Sequence, residues 1–128
     1  MSLSYPESTP VTRSVIGAAI EVHRHLGPGL LETAYEEVMN IELADRGLLI
    51  ERQRAIPLIY KSRVIRAVYR PDMIVNEMVI VEIKAIEKTL PVHRSQVQTY
   101  LRVTGLHVGL LLNFNVPVMA HGITRISL

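Results

Sequence analysis

No cysteine occurs in the 128 residues, so disulfides and thiolate zinc sites are excluded. No apolar run approaches the roughly 20 residues that a membrane-spanning helix needs, and no membrane partner is expected. The opening Met-Ser-Leu-Ser-Tyr-Pro lacks the basic start and apolar core of a secretory signal, so a cytoplasmic location is the default expectation. No repeat and no glycine- or serine-rich linker divides the chain, and its length suits one domain over 1–128. A net charge of +2 is too small to argue nucleic-acid binding by itself. Positive charge is local instead, at Arg52 and Arg54 and then Lys61, Arg63, Arg66 and Arg70. These are candidates for a phosphate path, although each taken singly suits a solvated strand face or turn.

What the chain does have is a charged interruption in an apolar hairpin. Arg70 to Lys84 reads Arg-Pro-Asp-Met-Ile-Val-Asn-Glu-Met-Val-Ile-Val-Glu-Ile-Lys. Two apolar runs flank Asn76-Glu77, the pattern of two strands joined by a tight turn. Asp72 opens the first strand; Glu82 and Lys84 close the second. Buried charge is costly unless it is paired or binds a metal. Side chains alternate along a strand, so Glu82 and Lys84 share a face and Ile83 points away. A three-residue loop centred on Glu77 sets Asp72 opposite Glu82 and Arg70 opposite Lys84. A two-residue Asn76-Glu77 turn sets Asp72 opposite Val81 and splits the acids between faces. Shared chemistry therefore requires the odd loop, or a bulge near Pro71.

Around this hairpin the chain alternates in type. Thr9-Pro10 starts a helix whose apolar line is Val11, Val15, Ala18, Val22 and Leu26, stopped by Gly27-Pro28-Gly29. His23 and His25 near its end suit the helix dipole better than a metal. A second helix runs from about Leu30 to Arg46, with one stripe of Leu31, Ala34, Val38 and Ile41 and a neighbouring one of Glu32, Tyr35, Met39 and Leu43. Glu32 complements the dipole of the first turn or belongs to a site. Leu49 to Tyr60 reads as one strand, with Pro57 marking a sheet edge. Lys61-Ser62-Arg63 turns it back into Val64 to Tyr69. A third helix spans about Thr89 to Thr104, with His93, Gln96, Tyr100 and Val103 on one face. Val108 to Phe114 is a strand covered on both sides, reached by a parallel crossover, and Ile123 to Leu128 is a short last edge strand. The order ααβββ(β)αβ(β) predicts an α/β (α+β) fold, a central mixed β-sheet flanked by helices.

If Asp72 and Glu82 share a face, they suit magnesium, or manganese, which takes hard oxygen ligands and commonly keeps waters and substrate phosphate. The backbone carbonyl of Ile83 completes the set. Lys84 would steady an attacking water or the developing phosphate charge. Glu32 would hold a second ion, or reach the first through water. Gln96 and Tyr100 would orient the site or grip a nucleic-acid backbone. The bland alternative is a cross-strand salt bridge among Asp72, Glu82 and Lys84.

In that order the residues carry a resemblance. Pro71-Asp72 followed by Glu82-Ile83-Lys84 resembles the signature of the PD-(D/E)XK nuclease superfamily. Glu32 and the pair Gln96 and Tyr100 resemble extra motifs of its exonuclease-like branch. Gly29-Leu-Leu-Glu32-Thr-Ala-Tyr35 is similar to the name-giving motif of the GxxExxY family, as are Ile56 to Lys61 and Leu110 to Phe114. Ser62, where a glycine is expected, and Arg66, where a small residue is, depart from the pattern. The resemblance spans about Val11 to Ile126. It implies a restriction-endonuclease-like core and Mg2+-dependent cleavage of DNA or RNA. Catalytic roles fall on Asp72, Glu82, Lys84 and Glu32, with Tyr35, Arg70, His93, Gln96 and Tyr100 in support. The competing reading is a catalytically idle module that binds nucleic acid or assembles, with a homodimer or a partner protein supplying its specificity.

Overall fold

The computed structural model describes residues 8–128, apart from the side chains at 67 and 68. The opening stretch considered above for a secretory signal lies outside the described residues. Helices α1 (Thr9–Leu26) and α2 (Glu32–Asp45) come first. Strands β1 (Ile50–Arg52), β2 (Ile56–Tyr60), β3 (Arg63–Tyr69), β4 (Met73–Val75) and β5 (Val79–Lys84) follow. Then come α3 (Pro91–Thr104), β6 (Val108–Asn113) and β7 (Ile123–Ser127). The main sheet has the order β1-β4-β5-β6-β7, while β2 and β3 form a separate two-stranded ribbon. Among the described strands only the β5–β6 pair is parallel, as a crossover through α3 demands.

Period-two alternation sorts the side chains into two layers. Met73, Val75, Val79, Val81 and Ile83 face α1 and α2, with Leu110 and Leu112 from β6. Ile74, Ile80 and Leu111 face α3, joined by Ile56 from the ribbon. Strand β6, apolar from Val108 to Leu112, is buried along its whole length because helices cover both faces of the sheet. On α2 the buried stripe is Tyr35, Met39 and Leu43, whereas Leu31 and Ile41 are exposed. Both stripes are apolar, and only docking on the sheet selects between them.

Two expectations are corrected. The segment from Leu49 to Tyr60 is not one strand. Gln53 takes a positive φ of 53°, which ends β1 and sends the chain out into the ribbon. The antiparallel strands therefore do not succeed one another in one sheet: β1 pairs with β4, and residues 53–72 leave and return between them. Pro57 does mark an edge, and the ribbon register shifts between Ile56 and Leu58. The tight turn at Lys61-Ser62 places Ser62 at φ 65°, a conformation in which a glycine would carry no strain.

Candidate active site

The hairpin register decides whether the acids meet. Met73 pairs with Val81, Ile74 with Ile80 and Val75 with Val79. The loop is therefore three residues, Asn76 to Met78, and one step outward Asp72 falls opposite Glu82. Asn76 and Glu77 both take positive φ, 51° and 54°, and the Met78 N–H donates to the Val75 carbonyl at 3.0 Å. Asn76 Oδ1 also accepts the Leu49 N–H at 2.7 Å, tying the turn to the strand entering at β1. No bulge at Pro71 is needed.

The two carboxylates lock the strand ends together reciprocally. Glu82 Oε1 accepts the Asp72 N–H at 2.7 Å, and Asp72 Oδ2 accepts the Ile83 N–H at 2.8 Å. Glu82 is 3% exposed. Burial, and then the charge of Asp72, push its pKa up from 4.5 to about 8. Asp72 is raised as well, chiefly by burial, with the Ile83 N–H and the Gln53 amide opposing. A metal-free site thus holds on to a proton, because two acids this close and this dry resist sharing two negative charges.

Lys84 follows on the Glu82 face, and its positive charge favours ionisation of both acids. Among the described residues it makes no ion pair within 4 Å, so the cross-strand salt bridge does not form. Arg70 is exposed; the β4–β5 ladder ends at Met73–Val81, short of Arg70, and on its other side Lys84 pairs with Asn113 of β6. The chain is still returning from the ribbon at Arg70. Asn113, itself buried, holds the segment after β5 through the Ile86 N–H at 3.1 Å and the Ile86 carbonyl at 2.9 Å.

Helix α2 brings Glu32 to the rim. It is exposed at the first position of the helix, and its charge adds to the proton affinity of Glu82. A pocket of about 130 Å³ is lined by Glu32, Thr33, Glu36, Gln53, Asp72 and Ile83. The Ile83 side chain is in the opposite layer; at the acids it contributes backbone, and the contact seen is its N–H.

Helix α3 closes the other side. Gln96 Nε2 donates to the Tyr100 hydroxyl at 3.1 Å, as their spacing implied. Burial and the charges of Glu82 and Asp72 push the Tyr100 pKa up to about 12, so its hydroxyl keeps its proton.

Two of the supporting residues have structural duties. Tyr35 is fully buried, stacked on Phe114 at 4.5 Å. Its hydroxyl donates to the Gly27 carbonyl at 2.5 Å and accepts the Leu30 N–H at 3.2 Å. It pins the α1–α2 connection and offers no surface to nucleic acid. His93 caps α3, its Nδ1 accepting the Leu90 N–H at 2.9 Å, and it shares the Gln96 face.

Glu36 and Gln53 went unnoticed in the sequence. Gln53 Nε2 donates to Asp72 Oδ1 at 3.1 Å and to Glu36 Oε1 at 2.9 Å, and its N–H donates to the Asp72 carbonyl at 3.1 Å. Arg52 clamps Glu36 at 2.7 Å and Glu37 at 2.5 Å. Glu36 lies one turn after Glu32, a spacing that could have flagged it. Nothing local marks Gln53.

The donor set suits a hard divalent ion. Among the described residues no three acidic or imidazole side chains form a ready cage. Magnesium commonly takes one or two carboxylates and keeps its waters. Over residues 9–126 the chain matches the PD-(D/E)XK nuclease superfamily, and it belongs to that superfamily. Its mixed sheet flanked by three helices is accordingly a restriction-endonuclease-like fold, whose members typically use divalent metals. No curated protein and no solved structure matches the chain.

Proposed function

We propose that this chain is a metal-dependent nuclease that hydrolyses phosphodiester bonds of DNA or RNA. The observation that carries this is the buried Asp72–Glu82 pair, held by reciprocal backbone hydrogen bonds with Lys84 next on the same face. Asp72, Glu82 and the Ile83 carbonyl would hold Mg2+ or Mn2+, with Glu32 at the rim. When bound, such an ion polarises the phosphoryl oxygen and makes water more acidic. Lys84 orients the attacking water and stabilises the charge that grows on the phosphoryl oxygens. Gln96 donates to the Tyr100 oxygen, which leaves the hydroxyl proton of Tyr100 free to meet a substrate oxygen. Arg70, exposed beside Pro71, is placed to meet a backbone phosphate.

Within the superfamily we assign the chain to the GxxExxY family. Each named position then has a physical task. Gly29 takes a φ of 103° that other residues avoid, Glu32 reaches the pocket, and Tyr35 pins the connection between them. The test is cleavage of labelled single- and double-stranded DNA and RNA with magnesium or manganese. Asp72→Asn and Lys84→Gln are each expected to lose on the order of 10²-fold or more in rate. An Asp72→Asn protein that cuts like the wild type would overturn the proposal.

A further inference from the structure

The ribbon β2–β3 is unlike the rest of the molecule in charge and in place. The 19 residues from Gln53 to Pro71 carry five cations and no anion, so the +2 of the whole chain leaves the remainder at −3. Both ends of the excursion are fastened at the acid pair, because Gln53 and Asp72 bond each other through backbone and side chain. The base of the ribbon is packed: Ile56 and Tyr69 join the α3 layer, and Tyr69 meets Tyr100 edge-on at 6.0 Å. Its tip is bare. Tyr60 is 59% exposed and Ile59 67%.

Register places Tyr60 directly opposite Arg63, and Leu58 opposite Ile65, on one face of the ribbon tip, with the register shift between this tip and the Ile56–Tyr69 pair. Lys61 sits over the Tyr60 ring at 5.4 Å. Arg66 lies beyond Ile65, in the stretch where the register shifts. Among the described residues Lys61, Arg63 and Arg66 form no ion pair, whereas Arg52 and Arg54 are paired with acids. An exposed aromatic ring bracketed by unpaired cations is the arrangement that holds single-stranded nucleic acid, bases on the ring and phosphates on the charges. A second copy of this chain would bring the same cations face to face and is disfavoured by repulsion. From Tyr69 to Arg63 the strand spans about 20 Å, room for about six stacked nucleotides.

We propose that the β2–β3 ribbon is a substrate arm. Tyr60, Lys61 and Arg63 hold a single-stranded stretch of nucleic acid flanking the bond presented to Asp72 and Glu82. This rests on the nuclease reading for its purpose but not for its test. Binding is measured by fluorescence anisotropy in EDTA, where no cleavage occurs, using the full chain and labelled single- and double-stranded oligonucleotides over a range of salt. The double substitution Lys61→Gln with Arg63→Gln removes two phosphate contacts and should flatten the slope of log K against log salt by about 1.4. Tyr60→Ala should weaken single-strand binding about tenfold and duplex binding less. Arg66→Gln, in the stretch where the register shifts and away from the Tyr60–Arg63 pair, should do less than the double variant. All these side chains are exposed, and an unchanged melting temperature verifies the fold.

Wild-type affinity and salt slope in both the double and the Tyr60→Ala proteins would overturn the arm, whatever the cleavage assays show. So would duplex binding as tight as single-strand binding with no effect of Tyr60→Ala, or binding to phosphatidylserine vesicles without binding to oligonucleotides. Loss of oligonucleotide binding in the ribbon variants, with no cleavage under any metal, would keep the arm and remove the nuclease reading. Cleavage that depends on Asp72 but ignores the ribbon variants would do the reverse.

Discussion

Raising the pH should destabilise the metal-free protein, and Glu82→Gln should abolish most of that effect. The folded-state pKa of Glu82 is pushed up to about 8, while the unfolded chain returns it to the ordinary 4.5. The sign follows from linkage: the folded state binds the proton more tightly, so its contribution to stability is whole below pH 4.5 and is lost as the pH rises through 8. At 1.36 kcal/mol per tenfold change in proton affinity, the loss between about pH 5 and pH 9 is on the order of 4 kcal/mol. With unfolding entropy near 2.1 cal/mol/K per residue, 128 residues convert that to a fall in Tm of on the order of 10–15 °C. Glutamine keeps an oxygen to accept the Asp72 N–H but cannot ionise, so the variant should stay flat across the same window apart from other groups. Thermal melts in EDTA at a series of pH values, wild type beside Glu82→Gln, measure it. Added magnesium should raise the wild-type Tm most at high pH, where the acids carry no competing protons, and should not raise the variant's. Parallel pH curves for the two proteins would refute the burial argument at its root.

Gln53→Ala removes the amide that favours ionised Asp72; divalent-ion affinity by calorimetry at neutral pH should fall about 10- to 100-fold, as expected for loss of a group that orients a ligand. Tyr35→Phe gives up the hydroxyl bonds to Gly27 and Leu30 and should cost about 1–2 kcal/mol in denaturant unfolding, with the cleavage rate of the folded protein unchanged; a rate loss at full folding would place Tyr35 in the chemistry after all. Gly122→Ala drives a Cβ into the Asn113 carbonyl oxygen, and overpacking against backbone should lower stability by about 1–3 kcal/mol in the same assay. Lys84→Gln should leave Tm within a few degrees, since its ammonium makes no ion pair among the described residues, while slowing cleavage.

Much of the site could be read before any fold was known, because it depends on short-range rules. Alternation put Glu82 and Lys84 on one face. Turn chemistry narrowed the loop to two or three residues, and the Gln96 and Tyr100 spacing made them helical neighbours. The register itself was not legible, since either loop length satisfies the local pattern. It is Asn76 bonding Leu49 across 27 residues that accompanies the longer loop. The break at Gln53 was equally hidden, as no glycine, proline or asparagine announces a positive φ there.

The sequence by itself determined where the helices and most of the strands lie and which residues form their apolar stripes, for these are properties of periods of 3.6 and 2 within a dozen residues. It also determined that carboxylates interrupt an apolar strand. The tertiary structure alone decided that residues 53–72 leave the sheet as a ribbon, that α2 buries Tyr35 rather than Leu31, and that Gln53 and Glu36 stand at Asp72. Those outcomes depend on contacts between residues far apart in the chain, whose cost in loop closure is met only when the whole core packs at once.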